Sequence, residues 1–152
     1  MTTPADDARR RLEPFLGAWT VEAAWPDGSP MGDVPGRSTF EWVLGGAFLL
    51  QRSEVDHPSA PDGLILVGPD DTGAYTQHYF DSRGVARVYA MTFDGRTWTL
   101  TREAPDFTPL EFSQRFTGTF EDGEQTISGA WEICHDGTTW QKDFDLVYTK
   151  TP

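Results

Sequence analysis

The stretch that decides the fold reads Phe112-Ser-Gln-Arg-Phe-Thr-Gly-Thr-Phe120, then Gln125-Thr-Ile-Ser-Gly-Ala-Trp-Glu-Ile-Cys134, then Thr138-Thr-Trp-Gln-Lys-Asp-Phe-Asp-Leu-Val-Tyr-Thr149. In each segment the large apolar residues keep one parity: Phe112, Phe116 and Phe120; Ile127, Trp131 and Ile133; Trp140, Phe144, Leu146 and Tyr148. A period of two sends one set of side chains to a core and the other to water, as a strand requires. Asp122-Gly123 and Asp136-Gly137 separate the segments, and Asp-Gly supplies the left-handed backbone of a tight hairpin. Three successive antiparallel strands are predicted.

The same grammar continues upstream. Val85 to Phe93 and Arg96 to Glu103 form a hairpin across Asp94-Gly95. Before them come Tyr75 to Phe80, the apolar run Leu64-Ile65-Leu66-Val67, Phe48 to Val55, Phe40 to Leu44, and Trp19 to Trp25. The Leu64 run suggests burial on both faces, with a helix as one cover. Residues 4–13 hold the one helix: Pro4 opens it, Asp6 and Asp7 suit its positive end, and Arg9 to Arg11 suit the other. Leu12, Phe15 and Leu16 would plug it onto one mouth of the β structure. Long loops at Gly28 to Gly36 and Ala104 to Pro109 are candidate entrance flaps.

Roughly ten strands joined by short turns must hide their edges, and closure does so completely. The expectation is an all-β chain: one domain over 1–152, with a helix at 4–13 and a closed antiparallel up-and-down barrel over 17–150. A two-sheet sandwich is the alternative architecture.

Composition narrows the partners. Twenty-four acidic against twelve basic residues give a formal net charge of −12, which opposes nucleic acid and anionic membrane surfaces. Cys134 is the single cysteine, so no internal disulfide or thiolate metal cluster forms. Neither a leader-like segment nor a membrane-length apolar run is present, and the expected location is the cytoplasm. A homodimer stays open.

Leu16-Gly17-Ala18-Trp19, after a short helix and before a meander, resembles the Gly-x-Trp opening of lipocalins and other calycins. The closing patterns Gly118-Thr-Phe, Gly129-Ala-Trp-Glu and Asp143-Phe-Asp-Leu-Val-Tyr-Thr are similar to those of small bacterial lipocalin-like proteins of unknown function. That resemblance implies a barrel and names no activity. Nitrobindin, a related barrel that holds haem, opens Gly-x-Trp-x-Gly-x-Gly; the stretch here, Gly17-Ala-Trp-Thr-Val-Glu-Ala23, lacks the two later glycines.

The resemblance turns Trp19 toward the lumen, and taking the aromatic-rich face of every strand as interior extends the lining. The candidate ligand-binding residues are Trp19, Trp42, Gln77, Tyr79, Arg87, Tyr89, Trp98, Arg102, Gln114, Phe116, Trp131, Trp140 and Lys142. Aromatic walls with few polar groups describe a small-molecule pocket. Buried cations need partners, so Arg87, Arg102 and Lys142 invite an anionic guest such as a carboxylate, as in fatty-acid-binding barrels. The competing account puts these cations at a wet rim or pairs them with Glu54 and carbonyl groups. Arg52 and Glu54 share a parity and suit a structural ion pair.

No cofactor is expected; haem is the alternative. Parity places His78 on the face opposite Gln77 and Tyr79, while His57 and His135 fall in loops. The three histidines also lack a metal-ligand spacing. No nucleophile elbow, phosphate loop or dinucleotide fingerprint occurs. A lumen tyrosine (Tyr75, Tyr79 or Tyr89) beside Arg87 would suit an isomerase or cyclase acting on a bound carbonyl compound. The readings in play are thus a binder of a small hydrophobic or anionic molecule, a haem barrel, a barrel enzyme, and a packed module without a cavity.

Overall fold

The structure, a computed structural model, describes residues 2–29, 35–55, 61–107 and 109–152. Ten strands follow one helix: β1 (Gly17–Ala24), β2 (Gly36–Val43), β3 (Phe48–Glu54), β4 (Gly63–Pro69), β5 (Tyr75–Asp81), β6 (Ala86–Phe93), β7 (Thr97–Arg102), β8 (Ser113–Glu121), β9 (Thr126–Cys134) and β10 (Gln141–Lys150). Each strand pairs antiparallel with its sequence neighbour. β1 also pairs with β10, from Trp19 opposite Lys150 to Ala24 opposite Asp145, and the sheet closes. The expected up-and-down barrel is the observed fold.

The helix α1 (Pro4–Arg11) has a reciprocal cap: Thr3 Oγ1 accepts from Asp6 N (3.1 Å), and Thr3 N donates to the Asp6 carboxylate (3.3 Å). It ends two residues earlier than the sequence suggests, because Pro14 cannot continue an α-helix, and Glu13–Phe15 form a 3-10 turn. That turn drives Phe15 into the barrel end. Its ring centroid lies 4.9–5.3 Å from those of Phe40, Phe93, Trp98 and Phe120. Leu12 and Trp19 are fully buried beside it, with the indole N–H of Trp19 donating to Phe15 O at 2.8 Å. One end of the barrel is therefore solid. The apolar run on β4 is buried on its inner face at Ile65 and Val67 and only half-buried at Leu64 and Leu66.

The turns are looser than Asp-Gly implies. Between β8 and β9 the loop holds four residues, with Asp122, Gly123 and Glu124 all at positive φ (57°, 62° and 70°). Between β9 and β10 the Asp136 carboxylate accepts from Thr138 N and Thr139 N. Strand pairing resumes only at Gln141, opposite Ile133. The flap expected at Gly28 to Gly36 lies largely outside the described residues, as does His57. Among the described residues, no helix is long and apolar enough to cross a membrane.

Phe15 is the keystone of the closed end. Phe15→Ala removes a ring in contact with four others and is expected to destabilise the fold by about 3–5 kcal/mol, read as a shift in the urea unfolding midpoint at unchanged slope.

Candidate functional site

Away from the Phe15 plug, the inner face opens into a cavity of about 1110 Å³. On β5 and β6 alternate residues line it, Gln77 and Tyr79 with Arg87 and Tyr89, whereas successive residues of β1 and β10 do so. Eight of the thirteen candidate residues line it: Gln77, Tyr79, Arg87, Tyr89, Trp98, Gln114, Phe116 and Trp131. The aromatic wall is continuous. Tyr89 contacts Tyr79 (6.4 Å, edge-on) and Trp131 (5.6 Å), and Phe116 contacts Trp131 (5.3 Å) and Trp98 (4.9 Å).

Two glycines make room for this wall. Gly118 and Gly129 are register partners, and the Phe116 ring lies across both. A Cβ on Gly129 would fall 2.5 Å from Phe116 Cζ, and one on Gly118 would fall 2.8 Å from Cε2. Neither glycine has positive φ, so the requirement here is space and not backbone conformation.

Five candidates sit elsewhere. Trp19 belongs to the plug, as described. Trp42 shares the inward parity of Phe40, but it packs half-buried against the plug end of the core, beside α1 near Arg9 and Glu13. Arg102 is 3% exposed and forms a bidentate pair with Asp106 (2.7 and 2.9 Å). Asp106 also accepts from Val88 N at 2.9 Å, where β6 extends past its last partner on β7. The loop expected to be a flap thus reaches inward and ties the β6–β7 seam.

Lys142 and Trp140 are corrected by a β-bulge. Pairing of β10 with β9 slips between Lys142 and Phe144, so Asp143 is extra and parity reverses there. Phe144 faces inward opposite Trp131, while Lys142 faces outward opposite Glu132 and pairs with Asp145 at 3.0 Å. Trp140 precedes the strand, with the Arg115 guanidinium 4.1 Å above its ring. Arg115 is in turn bidentate to Glu132.

Parity missed a polar strip on β2 and β3. Gln51 and Ser53 line the cavity; Gln51 Nε2 donates to Ser38 Oγ (3.1 Å) and Ser53 Oγ (3.3 Å), and the two hydroxyls are 2.7 Å apart. Choosing the aromatic face fails on β3, whose one aromatic, Phe48, points outward. Leu49, Gln51 and Ser53 keep the inner parity, and their low polarity relative to Arg52 and Glu54 was the available signal. Glu54 pairs with Arg37 across the strands (3.5 Å), not with Arg52. Tyr148, also in the lining, has its hydroxyl pushed up to about 12 by burial.

The charges at the mouth are unequally matched. Arg83 is held by Asp81 (2.6 Å), which also accepts from Tyr79 OH (2.8 Å). Burial would raise the Asp81 carboxyl, but the bonds from Arg83 and Tyr79 outweigh it and hold the group at about 2. Arg87, opposite Tyr79 on the neighbouring strand, has no carboxylate within ion-pair distance among the described residues. Its Nη1 donates to Gln114 Oε1 (3.2 Å), which also accepts from Tyr89 OH (3.2 Å), and its guanidinium stands 5.8 Å from the Phe112 ring. Burial raises the Tyr89 hydroxyl, so it stays a neutral donor. Asp143, four strands round the barrel from Arg87, lines the same mouth, and burial raises its carboxyl.

Among the described residues no histidine lines the cavity. His78 pairs across the sheet with Leu66 and Val88 on the outward parity, and His135 packs against Phe112 in the β9–β10 loop.

The chain is similar in fold to Rv2717c from M. tuberculosis, a crystal structure 17% identical, with a TM-score of 0.62 over 95% of this chain and 98% of that one. It also aligns with a protein of unknown function of the DUF3598 family from Nostoc punctiforme, 8% identical over 95% of this chain and 99% of that one, at a TM-score of 0.30. The first likeness shows the fold alone, and the second is too loose to bear on this chain. No protein-family model matches the chain, and no curated protein matches it.

Two outcomes test this geometry. Gly129→Ala pushes the Phe116 ring toward the cavity and should destabilise the fold by about 1–3 kcal/mol, measured by denaturant unfolding. The Asp81 pKa in the folded state lies below its unfolded value, so its contribution to stability is present above about pH 4 and is lost as the pH falls toward 2. Thermal melts of Asp81→Asn should therefore lie below wild type at pH 7 and converge with it in acid.

Proposed function

We propose that the barrel binds a small, mainly apolar molecule in its cavity, with an anionic group held by Arg87 at the mouth. The observation that carries this reading is the contrast among the cations at the open end of the barrel. Arg102 and Arg83 are each matched by an aspartate, whereas Arg87, among the described residues, meets a neutral amide, the Tyr89 hydroxyl and an aromatic face and has no carboxylate within ion-pair distance. A cation kept beside apolar walls without a counter-ion is a receptor for one. Its planar fork suits a carboxylate, sulfonate or phosphate, with Tyr79 and Tyr89 as neighbours.

The cavity supports the reading by size and chemistry. At about 1110 Å³ it lies just above the range of about 300–1,000 Å³ that holds drug-sized ligands, with room for one. The resemblance to lipocalin-type barrels points the same way, since such barrels hold small molecules inside. Haem remains the lesser reading, because the described part of the cavity offers aromatic faces and no imidazole.

A matched dye pair tests the head group. Anilinonaphthalene sulfonate and the neutral N-phenyl-1-naphthylamine share a skeleton and differ in the anion. Wild type should bind both, quenching tryptophan fluorescence. Arg87→Gln should weaken the sulfonate by about tenfold or more, as loss of a charged hydrogen bond does, and leave the neutral amine unchanged. Equal effects on both dyes, or no binding of either, would refute the assignment.

A further inference from the structure

Below the Arg87 level two residues of the cavity wall carry a polar atom that nothing among the described residues answers. Gln77 Oε1 and Trp98 Nε1 are buried and have no hydrogen-bond partner among the described residues. Both residues are 3% exposed, and both line the cavity. Buried side-chain amides and indoles are ordinarily satisfied, so two orphans on one cavity wall mark a place where an occupant supplies the missing bonds. Elsewhere in the lining the amides are used: Gln51 bonds Ser38 and Ser53, and Gln114 serves Arg87 and Tyr89.

The register places these orphans. Gln77 is one inward step nearer the plug than Tyr79, which lies opposite Arg87, a rise of about 7 Å along the strand. Trp98 lies deeper still, packed on Phe15. An acceptor and a donor are waiting, and a single hydroxyl answers either one. It gives its hydrogen to Gln77 Oε1 or accepts from the indole N–H. The last torsion of the Gln77 amide has a roughly two-fold preference, so an exchange of its oxygen and nitrogen would turn either end toward the cavity.

Resting on the reading above, we infer that the ligand class is a hydroxylated (or amide-bearing) aromatic carboxylic acid, with its carboxylate on Arg87 and its second polar group some way deeper, at Gln77. Flat rings between the two polar ends match the walls of Tyr89, Trp131 and Phe116. A plain fatty acid would leave Gln77 unanswered, and the site selects against it, because a buried amide left unpaired rejects the analogue that cannot bond it.

Calorimetric titration with 6-hydroxy-2-naphthoate and 2-naphthoate decides the matter. Wild type should bind the hydroxy acid about tenfold more tightly. In Gln77→Met and Gln77→Leu that preference should shrink to within about threefold, while Arg87→Gln weakens both acids together. Without ligand, the two Gln77 variants should melt no lower than wild type, since replacing an unpartnered amide removes a burden. Equal binding of the two acids by wild type, a hydroxyl preference that survives the Gln77 changes, or a lowered melting temperature in both variants would overturn the inference and leave the anion site standing. Failure of both acids to bind wild type would sink the inference and the anion site together.

Discussion

The structure depends on a benzene ring at one end of a closed sheet. Closure through β1 and β10 leaves no edge and fixes which side chains face inward. Closure alone, however, permits either a packed core or a hollow one. Phe15, delivered by α1 and its 3-10 turn, gathers Phe40, Phe93, Trp98 and Phe120 around itself. The apolar burial that stabilises the fold is thereby concentrated at one end. The other end is relieved of that task, and its walls are left to form a container.

In and around that container the polar groups fall into two kinds. Some are neutralised within the protein: Arg102 by Asp106, Arg83 by Asp81, Gln51 by two serines. Others are not: among the described residues Arg87 lacks a counter-ion, and Gln77 Oε1 and Trp98 Nε1 lack hydrogen-bond partners. The first kind holds the seam and rim in place, and Asp106 shows how closely this is done, since one carboxylate accepts from the Arg102 side chain and from the main chain of β6. The second kind is where the barrel is chemically incomplete by itself.

The fold was readable because an up-and-down barrel writes itself as a period of two with turns between. The eight candidates that line the cavity follow from that period together with the choice of the aromatic-rich face as interior. The errors have separate causes. Lys142 was misplaced because a bulge at Asp143 reverses parity without any signature in the apolar pattern. Arg102 was read as a free head-group cation because Asp106, four residues on in a proline-bounded loop, gives no periodic signal of folding inward. Trp42 was read as lining because parity says which face a residue takes and not how far along the barrel axis the cavity extends. Gln51 and Ser53 were passed over because aromatic content was used to choose the face, and β3 carries its aromatic outside.

By itself, then, the sequence determined the all-β class, the strand count, the single N-terminal helix and the alternation that turns aromatics toward a common interior. These are local properties, set by backbone geometry and side-chain period over a few residues. Only the tertiary structure decided that the interior is solid at one end and hollow at the other. It also decided which of the three arginine and lysine candidates goes without a carboxylate, and which buried amide oxygen goes without a partner, among the described residues. Those outcomes depend on contacts between strands and loops distant along the chain, and no local pattern records them.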